Sequence, residues 1–301
     1  MKNVFTAFLI ISVLIISSCV TPTTEADSDS RNLSNVEKAE TAETAEKAET
    51  ENKGKTAVTE VVSIPYLLKD TNYFSDGYIE SYKVYSYNDD MSIAREDLFD
   101  SFDELIESTV YEPMSDGALR RSLFDARGTL QSWRKLVTAD GLSVRIESYN
   151  SEDELQTVSE NTYDAEGNLT VWKILNGSGV VLSETRYIYE SGENTKIEIY
   201  DTSMMLREYF INEFEDGLIV KNSHYDENDK IKTVVEYAYE DGVLVSGKYL
   251  RANGSTSRTM TYSNDEKGSP LKTETFDGNG KLKDWNEKEY EYVSKEITVW
   301  K

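Results

Sequence analysis

The chain has 301 residues but only one histidine and one cysteine, which limits the chemistry its side chains can perform. Metal ligation by cysteines, a thiol redox pair and a disulfide framework each require at least two cysteines. His224 precedes Tyr225 without the spacing of a catalytic triad, so we interpret it as a surface or cross-strand packing residue. There is no glycine-rich phosphate loop. The sequence therefore predicts no cofactor and favours a protein that is not an enzyme.

Two short segments, 226–229 and 277–280, are rich in side-chain oxygens, the ligands that calcium prefers. The second resembles the start of an EF-hand loop, but Lys288 stands at the twelfth position, where that loop requires glutamate. Solvated turns are the favoured interpretation. We therefore predict no metal site, and the candidate ligands for the alternative are Asp226, Asp229 and Asp277.

Tyrosines recur in pairs spaced by two residues, and this spacing points both rings of a pair to one face of a strand. Packing between strands is the structural interpretation, worth about 0.2 to 1 kcal/mol per pair. The functional interpretation is a flat aromatic surface that binds a glycan or a protein. The candidate ligand-binding residues are Tyr85, Tyr87, Tyr187, Tyr189, Tyr237, Tyr239, Tyr290 and Tyr292.

The net charge is -24, from 56 acidic and 32 basic side chains. Nucleic acid is excluded as a partner because its affinity comes from lysine and arginine neutralising phosphates. The same charge repels an anionic lipid surface. A hydrophobic content of 38% is too high for a chain that is disordered throughout.

The amino terminus has the organisation of an export signal. Lys2 is followed by an apolar run over residues 4–16, too short to span a bilayer, and then by Ser17, Ser18 and Cys19. This ending resembles the lipobox of bacterial lipoproteins, in its relaxed form with serine before the cysteine. The resemblance implies that residues 1–18 are a signal peptide, that Cys19 carries lipid and that the mature protein is anchored in the bacterial envelope. In the lipoproteins that this segment resembles, aspartate after the lipidated cysteine retains the protein at the inner membrane. Val20 at that position therefore implies the outer membrane.

Residues 19–60 are predicted to be a disordered tether behind the lipidated cysteine. They are rich in alanine, glutamate and threonine and lack aromatic side chains. They therefore cannot bury enough apolar surface to offset the conformational entropy lost on folding. Residues 20–60 carry 10 acidic and 5 basic side chains. Most of the negative charge therefore belongs to the remaining domain, residues 61–301.

That domain is organised by a repeat of about 25 residues, in which an aromatic or aliphatic anchor precedes a turn rich in Asp, Asn, Glu, Ser and Gly. The anchors are Phe74, Phe99, Phe124, Tyr149, Ile174, Tyr200, Tyr225, Leu250 and Phe276. A second series lies between them, at Tyr87, Tyr111, Val137, Tyr163, Tyr189, Phe214, Tyr239, Tyr262 and Tyr290. Each unit is therefore predicted to be a β-hairpin.

The repeat predicts an all-β, antiparallel meander of up to about 19 strands. Open sheets beyond about ten strands usually curl or split. A solenoid-like array or a curled single sheet is the favoured architecture, because contacts would then join mainly neighbouring units. A partly closed barrel is the alternative.

Residues 92–110 carry two competing patterns. Leu98, Phe102, Leu105 and Ile106 have helical spacing. Phe99, however, lies 25 residues from both Phe74 and Phe124, in phase with the repeat. We favour a hairpin over a helix for this segment.

Residues 163–169 read Tyr-Asp-Ala-Glu-Gly-Asn-Leu, and this unit resembles the YD repeats of Rhs-type and teneurin-like proteins. Residues 239–254 are similar to the MORN-type repeats of the YwqK-like group. Both resemblances imply hairpin repeats and transfer no functional residues. The lipidated tether and hairpin array also resemble spirochaetal single-layer surface lipoproteins. Those proteins are lysine-rich, however, whereas this chain is acidic.

These features predict a lipid-anchored envelope protein that acts as a binding or scaffolding surface for a protein or glycan. The membrane, through the lipid, is its other expected partner. The MORN-type resemblance implies a first alternative, an immunity or antitoxin-like protein that neutralises a toxin. A carboxylate-dependent envelope hydrolase is a second alternative, and it requires a deep pocket of clustered acids with perturbed pKa values.

Overall fold

The computed structural model describes residues 57–300, and within that range every regular element is a β-strand. The first strand begins four residues before the boundary expected at residue 61. In chain order the strands are β1 (Ala57–Phe74), β2 (Ile79–Tyr87), β3 (Ile93–Asp100), β4 (Leu105–Pro113), β5 (Leu119–Asp125), β6 (Leu130–Ala139), β7 (Leu142–Asn150), β8 (Leu155–Tyr163), β9 (Leu169–Asn176), β10 (Val181–Glu190), β11 (Glu193–Tyr200), β12 (Leu206–Glu215), β13 (Leu218–Asp226), β14 (Ile231–Glu240), β15 (Val243–Arg251), β16 (Thr256–Asn264), β17 (Pro270–Asp277) and β18 (Leu282–Trp300).

The strands form one antiparallel meander that closes on itself. Each strand pairs with the next along the chain, and β1 also pairs with β18 over a long register that includes Asp70 opposite Lys288. The prediction of a solenoid-like array or curled open sheet is therefore wrong, because the two end strands satisfy each other's backbone groups in an 18-stranded barrel. Closure removes the sheet edges that an open array would leave exposed.

Closure also shows that the resemblance to YD and MORN-type repeats is wrong as a description of this fold. The hairpins are present, but they form the wall of a closed barrel. The alternative of an immunity or antitoxin-like protein was inferred from the MORN-type resemblance, so it no longer has that support.

One recurring turn explains the motif of an anchor followed by Asp or Asn. The Asp125 carboxylate accepts hydrogen bonds from the backbone N–H groups of Arg127 at 2.9 Å and Thr129 at 2.8 Å. These bonds, that from Thr129 first, lower the pKa of Asp125. Gly128 completes the turn with φ of 79°. The same side-chain capture occurs at Asp100, Asn150, Asp164, Asn176, Asp201, Asp226, Asp265 and Asp277.

Residues 92–110 form the predicted hairpin, which is confirmed by strands β3 and β4. The Asp100 carboxylate accepts the backbone N–H groups of Phe102 and Glu104, and Asp103 adopts φ of 63°. Phe102, expected on the apolar face of the competing helix, is 82% exposed at the turn. Turn chemistry and strand pairing therefore overcame the helical spacing.

Neighbouring residues along each strand face opposite sides of the wall, and on β7 to β10 the two sides differ in chemistry. Arg145, Glu160, Lys173 and Glu184 lie opposite one another on β7 to β10 and form a row of alternating charge. The adjacent row, one residue along each strand, is Ile146, Ser159, Ile174 and Ser183.

We assign the uncharged row to the concave, inner side from the burial of the tyrosines that share it. Tyr187 and Tyr163 share this side, and burial raises the pKa of Tyr187 to about 12 and also raises that of Tyr163. On the charged side, the pKa of Tyr149 is raised first by its hydrogen bond to Glu147. Side chains crowd one another more on a concave surface, so we call the charged side the outer wall and the other the inner wall.

The wall is a single layer. Within residues 57–300, the close backbone neighbours of each strand belong to the two strands beside it. Eighteen strands about 4.8 Å apart and tilted by about 40° give a backbone circumference of about 110 Å. Barrels with this number of strands enclose a lumen that side chains do not fill.

Candidate functional site

A ring of tyrosines marks one end of the inner wall, at the ends of even-numbered strands. Each hydroxyl donates a hydrogen bond to the backbone carbonyl of the residue 20 positions earlier, on the preceding strand. The pairs are Tyr87 to Leu67 (2.8 Å), Tyr163 to Ser143 (2.7 Å), Tyr189 to Leu169 (3.1 Å), Tyr239 to Ile219 (2.9 Å) and Tyr290 to Pro270 (3.1 Å). We call these five residues the rim tyrosines.

The rim tyrosines sit where the two strands of a hairpin diverge. Tyr163, for example, lies beyond Arg145 and Glu160, the last residues that β7 and β8 pair. The Asn264 side chain makes the same contact with Leu244, at 3.2 Å. Strand register places Pro113, Thr138 and Phe214 at the remaining equivalent positions. The second anchor series was therefore one or two residues out of phase at Tyr111, Val137 and Tyr262.

We expect Tyr239→Phe to lower the free energy of unfolding by about 1 kcal/mol, because it leaves the Ile219 carbonyl without this hydrogen bond. The matched change is Phe214→Tyr, which adds a hydroxyl at the equivalent position and should leave stability unchanged or raise it. Urea unfolding followed by circular dichroism measures both. Equal effects of the two substitutions would contradict a bridging role for the hydroxyl.

The eight tyrosines predicted from their spacing are all half-buried, and they occupy the same end of β2, β10, β14 and β18. Tyr85, Tyr187 and Tyr237 lie two residues deeper than their rim partners. Tyr292 lies on the part of β18 that extends past the rim, where its hydroxyl bonds to Asp265 and the Lys267 ammonium group lies 3.7 Å from its ring. The candidate residues therefore gather at one end of the barrel, but other strands separate them, so they do not form one continuous aromatic surface.

The search for tyrosines spaced by two residues did not identify several aromatic residues at this end of the barrel. Tyr111, Phe214, Tyr249 and Tyr262 belong to the inner wall by register but have no tyrosine two positions away. The period of about 25 residues was the signal that could have located three of them, because Tyr111, Phe214 and Tyr262 stand in the second anchor series.

A polar chain crosses the inner wall from β2 to β5. The Glu96 carboxylate is 4% exposed, lies 3.6 Å from the Lys83 ammonium group and accepts the Tyr111 hydroxyl at 2.7 Å. The Arg121 guanidinium donates to the Tyr111 hydroxyl at 3.2 Å. A recess of about 10 Å³ beside this chain is lined by Lys83, Glu96, Leu98, Glu107 and Thr109. It has room for about one water molecule.

His224 is a packing residue on the inner wall, as interpreted from the sequence. Its ring stacks on Phe210 with centroids 4.3 Å apart, and its Nε2 lies 2.9 Å from the Glu208 carboxylate. The Lys232 ammonium group donates to the same carboxylate at 3.0 Å. These contacts, with the His224 bond first, lower the pKa of Glu208 to about 2.

The candidate metal ligands are not brought together. Asp226 accepts the backbone N–H groups of Asn228 and Lys230, and Asp229, in the same turn, accepts the Tyr209 hydroxyl at 2.7 Å. Asp277 belongs to a turn four strands away and caps Lys281. In the part of the chain that the structure describes, no group of three or more His, Cys, Asp or Glu side chains is placed to hold a metal ion.

The predicted lipidation site, Cys19, lies outside the described residues, as do the predicted signal peptide and most of the predicted tether. Between residues 57 and 300 there is no helix long and apolar enough to cross a bilayer.

No protein-family model matches the chain, and no curated protein matches it. Among solved structures, it is similar to a porin-like protein from Bacteroides uniformis, at 13% identity over 75% of this chain and 98% of that chain, with a TM-score of 0.43. A porin-like protein from Bacteroides vulgatus shows 12% identity over 76% and 99% of the two chains, with a TM-score of 0.37. A protein with unknown function from Bacteroides fragilis shows 11% identity over 48% and 92%, with a TM-score of 0.22. These likenesses do not assign the chain to a family, and its fold is established by its own strand pairing.

Proposed function

We propose that this chain is a lipid-anchored, non-enzymatic binding protein of the bacterial envelope, with the outer membrane as its favoured location. Its ligand, a glycan or a protein segment, binds to the aromatic inner wall of the barrel. The observation that carries this proposal is the gathering of half-buried tyrosines on the inner wall at one end of the barrel.

The ion pairs of the outer wall favour a barrel whose outer surface faces water. Glu184 lies 2.7 Å from Arg186 and 3.3 Å from Lys173, and the Arg186 guanidinium lies 4.4 Å from the Tyr200 ring. A barrel that spans a bilayer instead presents an apolar band to the lipid. Attachment to the membrane therefore falls to the lipid on Cys19.

The inner wall supports ligand binding. Its tyrosines are half-buried, so part of each ring remains accessible from the lumen. Tyrosine combines an apolar ring with a hydroxyl and loses little entropy when it is immobilised, which suits glycans and extended protein segments. Because the rings are mounted on paired strands, the surface is already ordered before the ligand arrives.

The test begins with Cys19→Ser in the full chain, expressed in a bacterium that processes lipoproteins. We expect the native chain to incorporate labelled palmitate and to enter the detergent phase of Triton X-114, and the variant to be unlabelled and soluble in the aqueous phase. Ser17→Ala should behave like the native chain. If the Cys19→Ser variant carried no attached lipid and still remained in the membrane fraction, that result would contradict a barrel whose outer surface faces water.

The soluble variant then permits a binding measurement against a panel of oligosaccharides and extended peptides, by calorimetry and tyrosine fluorescence. We expect saturable binding of at least one class, with tyrosine emission perturbed. Absence of binding by both classes would remove the proposed function.

A further inference from the structure

One position of the inner wall lacks a side chain. Strand register defines nine equivalent inner positions on odd-numbered strands, each directly opposite the residue two positions before a rim-equivalent residue. They are Asp70, Glu96, Arg121, Ile146, Trp172, Ile197, Asn222, Gly247 and Thr273. Eight of the nine carry a side chain, and Gly247 on β15 is the exception.

The backbone does not require glycine at this position. Gly247 lies within a strand and does not have the left-handed φ of the turn glycines. A Cβ atom built there would lie 3.7 Å from the rings of Tyr237 and Tyr249, which is ordinary van der Waals contact. Glycine within a strand weakens the sheet and often marks a close approach by a ligand or another chain. The purely structural alternative is that the rings simply cover the glycine.

The rings of two tyrosines flank Gly247, and two more tyrosines lie near one of them. Tyr237 lies directly opposite it, and Tyr249 follows two residues later on the same strand. Tyr239 and Tyr262 are close enough to raise the pKa of Tyr237 further, after burial, which is the main cause. Met260 on β16 lies directly opposite Gly247. Because Gly247 has no side chain, the rings of Tyr237 and Tyr249 pack close to the backbone of the wall. They form a low aromatic platform inside the barrel.

The charges near the platform restrict its ligand. The Arg258 guanidinium lies 4.0 Å from the Tyr249 ring centroid, and this positive charge disfavours a cationic ligand. The whole chain carries a net charge of -24, which disfavours a polyanion. Tyrosine hydroxyls supply both donors and acceptors for hydrogen bonds.

We propose that Tyr237 and Tyr249, which flank Gly247, form with the nearby Tyr262 a binding platform for an uncharged saccharide. The apolar face of a sugar ring stacks on the tyrosines, and its hydroxyl groups bond to theirs. This inference rests on the proposed function and specifies its ligand class and its location within the lumen.

The test uses the full chain with Cys19→Ser and four soluble hexasaccharides as probes. N-acetylglucosamine hexamer and maltohexaose are neutral, glucosamine hexamer is cationic and hexagalacturonate is anionic. We expect a neutral hexamer to bind more tightly than either charged one. Gly247→Ile, which installs the side chain found at the equivalent Ile197, should weaken that binding at least about tenfold, a loss of roughly 1.4 kcal/mol.

Two further substitutions separate binding from folding. Ser183→Ile adds the same bulk elsewhere on the inner wall and should leave affinity unchanged. Tyr237→Phe should retain more affinity than Tyr237→Ala because it keeps the ring. Thermal unfolding by circular dichroism shows whether each variant is folded.

The outcomes distinguish this platform from the proposed function. Equal binding by Gly247→Ile and the parent protein, with both folded, would place the saccharide elsewhere and overturn the platform while the proposed function stands. Binding of extended peptides but of no hexasaccharide would also overturn the platform alone. Absence of binding by peptides and saccharides would overturn both.

Discussion

Cysteines introduced at Lys69 and Glu289 should form a disulfide bond on mild oxidation of the Cys19→Ser protein. The two residues are directly opposite in the pairing of β1 with β18. Opposite residues of antiparallel strands have Cα atoms about 4.5 to 5.5 Å apart, within the range that a disulfide spans. In an open sheet of 18 strands the same residues would be about 80 Å apart. The experiment therefore separates the closed barrel from every open arrangement.

Two measurements report the result. The oxidised protein should migrate faster on a non-reducing gel, because the bond closes a loop of about 220 residues. It should also resist urea more strongly than its reduced form, by up to about 5 kcal/mol in the chain-entropy description.

The control places the second cysteine on β8, as Lys69→Cys with Glu160→Cys. Glu160 also lies on the outer wall, but β8 is not adjacent to β1. We expect no intramolecular bond in this protein. A bond in the control, or none between positions 69 and 289, would be incompatible with the observed closure.

Replacing Glu208 by glutamine should destabilise the protein by on the order of 3 kcal/mol at pH 7. Glu208 lies on the inner wall and is 17% exposed, and its carboxylate contacts His224 at 2.9 Å and Lys232 at 3.0 Å. Its pKa falls from an ordinary value of 4.5 to about 2. Folding therefore favours the ionised carboxylate, and the amide cannot replace its charge.

The depressed pKa also fixes the direction of the pH dependence. The contribution of Glu208 is fully present above its unfolded pKa of about 4.5 and is lost as the pH falls through the folded value of about 2. The difference in stability between native protein and Glu208→Gln should therefore be largest near neutral pH and shrink towards pH 2. Urea unfolding at pH 7, 4 and 2.5 measures it.

Glu213→Gln is the matched control for Glu208→Gln. Glu213 lies on the same strand and contacts the Lys221 ammonium group at 2.6 Å, but it is 52% exposed. Exposed ion pairs contribute about 0 to 1 kcal/mol, so this substitution should have a small effect with little dependence on pH. A difference for Glu208→Gln that stayed constant from pH 7 to 2.5 would contradict the role assigned to its charge.

The hairpins could be predicted from sequence because their determinants are local. At Asp125 the side chain bonds to backbone groups only two and four residues away, and Gly128 supplies the left-handed residue of the same turn. At Phe99 the hairpin was predicted from the 25-residue spacing to Phe74 and Phe124, against the helical spacing around it. The separation of the two wall faces is also encoded locally, because Arg145 and Ile146 are neighbours in the chain.

The aromatic site was only partly predictable. Spacing by two residues identified Tyr187 and Tyr189, but it gave no reason to select Gly247, whose distinction appears only when strand register aligns it with Ile197 and Thr273. Spacing also treated Tyr290 and Tyr292 alike, although Tyr292 lies beyond the rim and contacts Asp265 and Lys267. Register depends on the count of residues and bulges in each hairpin, which periodicity does not resolve.

The sequence by itself determined the antiparallel hairpins, their turns and the alternation of side chains between the two faces of each strand, since each depends on residues close together in the chain. Only the tertiary structure decided that the sheet closes. Asp70 and Lys288 lie opposite each other because twist and strand tilt accumulate over all 18 strands, while every hairpin makes the same neighbouring contacts in an open or a closed sheet. Closure, in turn, decided which row of side chains faces the lumen, and so turned a periodic set of tyrosines into one end of an inner wall.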